Sequence, residues 1–172
     1  MQGVKAFCRF VDGLSEWTGR SIGWLVLVLT FVIGYDVALR YLFNAPTKWA
    51  YELSYQIGGT FFWLGAAYTL RHGGHVRIDI FYNRFSIRTR ALIDLVLYLL
   101  LFFPVWIGLC FYLFPYVIHS WRIQEKAMMG FWQPIIYPFK TTMIFGVLFL
   151  LLQGLAESLR CLMVLLGKRE SS

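Results

Sequence analysis

Ile22-Gly23-Trp24-Leu25-Val26-Leu27-Val28-Leu29-Thr30-Phe31-Val32-Ile33-Gly34-Tyr35 carries no charged side chain. Three more stretches lack Asp, Glu, Lys and Arg: Leu53 to Leu70, Leu95 to Ile118 and Thr141 to Ala156. Crossing a hydrocarbon core of about 30 Å takes about 20 helical residues. Extended to that length, the four runs predict membrane-spanning helices over roughly 22–43, 49–71, 92–118 and 140–164. Pro104 and Pro115 fall inside the third, which is expected to kink or tilt.

The rest of the composition agrees with a membrane as solvent. Of 172 residues 59% are hydrophobic and 19% aromatic, and mean hydropathy is +0.62. Only 16 basic and 9 acidic side chains are available, too few to cover a soluble surface. This excludes a soluble enzyme, a disordered tail and a secreted disulfide scaffold. The net charge of +7 is spread over the ends of apolar runs, which suits anionic headgroups rather than nucleic acid. Cys8, Cys110 and Cys161 follow no metal or disulfide spacing and are expected to be free thiols. The first run reads as a retained span and not a removed leader.

Four spans put both termini on one side. Eleven basic residues fall in the N-terminal segment, the middle loop and the C-terminal end, against five on the opposite side: Arg40, Lys48, Arg122, Lys126 and Lys140. Both ends are therefore expected to be cytoplasmic. Val4, Phe7, Val11 and Leu14 at helical spacing, and Ile80, Phe81, Phe85 with Arg84 and Arg88, read as amphipathic helices along the inner leaflet, over 3–17 and 79–90. The expected fold class is thus an all-α integral membrane protein, a single membrane domain over 1–172 with four transmembrane helices and two interfacial ones.

Side chains able to do chemistry are scattered in depth. His72 and His75 lie at the inner end of the second span and His119 at the outer end of the third, whereas haem ligation in a bundle needs two imidazoles at one level. Ionisable groups within a membrane are functional candidates by default. Asp36 is the deepest, but Arg40 stands one turn away at i+4, and Lys48 and Glu52 have the same spacing. The readings are self-satisfied ion pairs, contacts of Asp36, Arg40 and Glu52 with another helix or protein, or a proton or ion relay, which the lack of a second carboxylate at matching depth disfavours. Glu157 and Arg160 at i, i+3 read alike. In the second span Ser54, Gly58, Gly65 and Thr69 lie on or near one face, with Gly59 and Ala66 beside it, a pattern that lets helices approach closely in lipid. No catalytic residue, metal site or cofactor is assigned to this chain.

Several strings together resemble the small membrane subunit of tripartite ATP-independent periplasmic (TRAP) transporters, the Q subunit. They are Arg40-Tyr41-Leu42-Phe43-Asn44 with Trp49, Glu52, Leu53 and Ser54; Gly65-Ala66-Ala67-Tyr68-Thr69-Leu70-Arg71 with Gly74-His75-Val76-Arg77-Ile78-Asp79; and Trp132, Pro134, Pro138, Lys140, Gln153 and Glu157. The resemblance implies a bacterial inner-membrane subunit that works with two partners. A periplasmic binding protein delivers an anionic carboxylate solute to a large membrane subunit, which moves it inward by a sodium-driven elevator motion. Substrate and sodium sites belong to the large subunit. The small one packs on its fixed scaffold and helps dock the binding protein. Asp36, Arg40, Glu52, Ser54, Gly58, Gly65, Arg71, His75, Arg77 and Asp79 are expected at interfaces or in structural roles. Lys48, Arg122, Lys126 and Lys140 are expected to steer the binding protein, or else to snorkel. The alternatives are a membrane anchor of a redox complex and a standalone small carrier.

Overall fold

A computed structural model describes residues 2–73, 85–128 and 132–167, and its regular elements are helices. They are α1 (Gln2–Leu42), α2 (Ala50–Arg71), α3 (Ile87–Leu97), a π-helical turn (Tyr98–Phe102), α4 (Phe103–Arg122) and α5 (Tyr137–Leu165). α5 touches all the others, while α2 and the α3–α4 rod sit apart from each other on either side of it. Three rods are long and apolar enough to cross a membrane: α1, the continuous Ile87–Arg122 and α5. α2 has 22 residues, a sufficient length, but Gln56, Thr60 and its small residues make it less apolar than the other three.

The N-terminal segment departs from expectation. No break separates 3–17 from the first span, and α1 is one 41-residue helix about 62 Å long. Its apolar stripe does not lie open: Val4, Phe7, Cys8 and Val11 pack against Ala156 and Leu159 of α5. Continuing outward, positions 15, 18, 22, 25, 29, 32, 36 and 39 are buried or half-buried. These alternating steps of three and four make a left-handed coiled-coil seam, so local amphipathicity reports helix–helix packing here. Of the second expected interfacial segment, 79–84 lies outside the described residues. Ile87 to Arg90 instead opens α3, capped by Ser86 Oγ accepting from the Thr89 amide at 3.2 Å.

The third span begins at Ile87 and widens ahead of Pro104. Proline has no N–H, and its ring collides with the carbonyl four residues back. The ladder opens into a π turn in which the Phe103 amide reaches Tyr98 O, a usual way to absorb such an insult. That turn presents Phe102 to α5, where its ring rests on the bare Gly154.

Close approach of α2 and α5 depends on Gly146 and on Gly59, which lies beside the expected stripe rather than on it. A Cβ on Gly146 would sit 2.5 Å from the Trp63 carbonyl oxygen, and one on Gly59 2.6 Å from the Phe139 ring. Gly58 only grazes Leu29 at 4.0 Å, Gly65 has nothing within 4 Å, and Ser54 is half-buried. Within the chain the close approach falls on Gly59, one residue from the 58/65 stripe, which stays open. Ala67, fully buried, completes the true face.

Candidate functional site

Polar side chains gather in two layers, one near each end of the bundle. At the inner layer α1 supplies Asp12, Ser15 and Glu16, α2 supplies Arg71 and His72, and α5 supplies Gln153, Glu157 and Arg160. The Arg160 guanidinium bridges two carboxylates, Nη1 donating to Glu157 Oε1 at 2.5 Å and Nη2 donating to Asp12 Oδ2. Gln153, wholly buried, donates to Asp12 Oδ1 at 3.2 Å and Glu157 Oε1 at 3.1 Å, and accepts from Ser15 Oγ at 2.8 Å. Arg71 Nη1 donates to Glu16 Oε2 at 2.6 Å and to the Asp12 carbonyl at 2.8 Å. His72 stacks on Tyr68 with centroids 4.2 Å apart, its Nε2 3.6 Å from Glu16 Oε2. Arg20 Nε also donates to Glu16 Oε1 at 2.8 Å, so three carboxylates face three arginines and a histidine, and each carboxylate has a cationic neighbour.

At the outer layer Asp36 accepts from the Thr47 amide at 2.8 Å and from the Thr47 hydroxyl, while its second oxygen accepts from Arg40 Nη2 at 2.8 Å. The expected i,i+4 pair is present, and Asp36 also ties down the turn after α1. That turn passes through Asn44 at φ +51, a left-handed conformation that asparagine tolerates. Lys48 lies just before the start of α2, whose first turn holds Glu52. Glu52 stands in the first turn of α2, where the helix dipole favours a carboxylate. It is 5% exposed, and its Oε1 has no hydrogen-bond partner.

Loop 123–136 closes on itself through the Lys126–Ile135 bridge, with the Ala127 amide donating to Pro134 O at 2.8 Å. Beneath it Lys140 Nζ donates to Glu125 Oε2 at 2.5 Å and lies 4.0 Å from the Tyr116 ring centroid. Lys140 is 5% exposed, which corrects its assignment to a docking surface: burial and pairing spend its charge inside the protein. Lys48, Arg122 and Lys126 are exposed. Trp121 Nε1 donates to Thr141 Oγ1 at 2.9 Å and Gln56 Nε2 to Ile135 O at 3.3 Å, so this layer joins α2, α4 and α5.

The Lys140 hydrogen bond, and after it the Ser120 hydroxyl, hold the Glu125 carboxyl below its ordinary value of 4.5. A lowered folded pKa adds stability above the ordinary value and loses it as pH falls through the lowered one. Protease protection of loop 123–136 is therefore expected to decline as pH drops below about 4.5. Glu125→Gln is expected to start less protected and to lack that component of the decline. An identical acid profile in both proteins would refute the pairing.

The layers are about one bilayer apart. Glu16 and Asp36 are separated by 20 residues of α1, about 30 Å, the thickness of a hydrocarbon core. The model of the DctQ component of tripartite ATP-independent periplasmic transporters matches residues 12–163, from the inner layer through all the helices. The chain belongs to the DctQ family. It is an inner-membrane component of a tripartite transporter, associated with a large membrane subunit and a binding protein. A comparison with curated proteins finds no match.

Against this DctQ assignment the expected residues divide. Asp36, steadied by Arg40 one turn on, and Arg71 tie the chain's own elements together, whereas a Cβ at Gly65 would meet nothing within 4 Å. His75, Arg77 and Asp79 lie outside the described residues. Among the described residues no group of three His, Cys, Asp or Glu side chains comes together as metal ligands. Sequence reasoning missed the inner layer as a unit. Asp12 and Glu16, one turn apart on α1, were a visible signal, but their partner Arg160 is 148 residues from Asp12. Thr47 and Glu125 carried no signal of their own.

Proposed function

We propose that this chain is the stationary small subunit of a sodium-driven carboxylate importer. Four helices cross the inner membrane with both ends inside, rest on the fixed scaffold of the large subunit and offer Lys48, Arg122 and Lys126 to the binding protein. The observation that carries this is the pair of polar clamps about 30 Å apart on α1. α2 is held by both, through the Thr47 turn outside and Arg71 inside, which supports its crossing as a fourth span despite its polar residues. The stretches 21–35 of α1, 53–70 of α2 and 141–156 of α5 carry no Asp, Glu, Lys or Arg, as suits a brace rather than a pathway for ions.

Lifting an arginine or aspartate of either clamp into hydrocarbon costs about 2.5–3.5 kcal/mol on insertion scales, so the body resists sliding while a neighbour moves. The test is reconstitution with the large subunit, the binding protein and a carboxylate solute under an inward sodium gradient. Uptake is expected only with all three components, and omitting this chain is expected to reduce it at least about tenfold, equivalent to 1.4 kcal/mol. Transport by this chain alone, or undiminished uptake without it, would overturn the reading.

A further inference from the structure

α1 carries a second seam on its back. Two residues on from the inner seam, positions 10, 13, 17, 20, 24, 27, 31, 34, 38 and 41 step by three and four, and all ten are exposed. Phe10, Trp17, Trp24 and Phe31 recur every seventh residue and are 69%, 69%, 71% and 75% exposed. Gly13, between Phe10 and Trp17, and Gly34, one step beyond Phe31, are open notches, with nothing within 4 Å of an added Cβ. A seven-residue repeat runs straight only on a helix wound to 3.5 residues per turn. The inner seam follows that repeat, so the outer seam is laid out along the back of α1 for another helix to follow.

Its length and charge say what covers it. From Phe10 to Tyr41 the seam runs 31 residues, about 47 Å, well beyond a core of about 30 Å. Phe10 and Gly13 flank Asp12 of the inner polar layer, so the apolar seam continues past the level where acyl chains end. Arg20 stands on the seam with its side chain 78% exposed; its Nε donates to Glu16 Oε1 at 2.8 Å, which leaves its outward Nη groups for a further acceptor. Two copies of this chain share one orientation in the membrane, and a two-fold pair along this seam would set Arg20 against Arg20, which is repulsive. The exposed face of α4 differs, because the apolar run of Leu95 to Ile118 has no charge and suits lipid.

We propose that the outer seam of α1 receives one long helix of the large membrane subunit, with small residues opposite Trp17 and Trp24 and an acceptor, a carboxylate or helix-end carbonyls, opposite Arg20. This rests on the function proposed above and names the face involved. The test is a photoreactive benzoylphenylalanine placed at Trp24 or at Phe111 in membranes holding all three components, with a tag on this chain to recover the complex. Position 24 is expected to cross-link the large subunit and position 111 not to. The double variant W17A/W24A is expected to recover about tenfold less large subunit, with F111A unchanged. Cross-linking of position 24 to lipid or to a second copy, or of position 111 alone to the large subunit, would overturn the seam. Failure of the tagged wild-type chain to recover any large subunit would instead overturn the function on which it rests. An unaltered melting temperature of W17A/W24A separates lost contact from misfolding.

Discussion

Gly146→Val is expected to force α2 and α5 apart and to destabilise the subunit more than any other single change considered. The added Cβ meets the Trp63 carbonyl oxygen at 2.5 Å, its carbon at 2.7 Å and the Trp63 Cβ at 2.9 Å. Backbone atoms inside a helix cannot rotate away as a side-chain tip can, so relief must come from rigid movement of one helix. Overpacking costs about 1–3 kcal/mol, occasionally more, and this contact belongs at the upper end. Separation also disturbs the Thr60–Thr142 hydroxyl contact at 3.5 Å and the seat of Phe139 over Gly59. Gly65→Ala on the same helix, with open space at its Cβ, is expected to stay within about 0.5 kcal/mol of wild type. Unfolding in mixed micelles, with spin-label distances between α2 and α5, checks both. Equal stability of Gly146→Val and wild type would show that the two helices do not meet there.

Removing the guanidinium that joins α1 to α5 is the second large effect. Arg160→Ala leaves Asp12 and Glu157 facing one another across Gln153, with Arg71 Nε 3.9 Å from Asp12 as the nearest remaining cation. Breaking a fully buried pair costs about 3–5 kcal/mol. These side chains are 17–27% exposed, so about 2–3 kcal/mol is expected after discounting for solvent. Arg160→Lys is expected to recover only part of this, because one ammonium does not span two carboxylates as a planar guanidinium does. Asp12→Asn in the Arg160→Ala background is expected to restore some stability by relieving the uncompensated charge. Proteolysis of the N-terminal turns of α1 is the sensitive readout, since Asp12 is where that arm is fastened. An arm no more susceptible in Arg160→Ala would mean that the Val4–Phe7–Val11 contact holds it unaided.

The apolar runs and the excess of basic residues at three of their ends were legible from composition and order. So was the Asp36–Arg40 pair, because residues one helical turn apart meet whatever the tertiary fold. The single long α1 was not, since an amphipathic segment looks the same whether its stripe meets lipid or α5. Lys140 read as an outer charge until Glu125 and Tyr116, 15 and 24 residues earlier, closed over it.

What the order of residues settled alone is the solvent: long uncharged runs cannot be folded in water, and their length suits one bilayer. What only three-dimensional packing decided is which side of each helix turns inward, hence Gly59 and Gly146 at the contact of α2 with α5, and Asp12 beside Arg160. The physical reason is that lipid is as apolar as the protein interior. In such a solvent, hydrophobicity cannot mark the inward face, and it is left to close contact and hydrogen bonding, between residues far apart along the chain, to choose it.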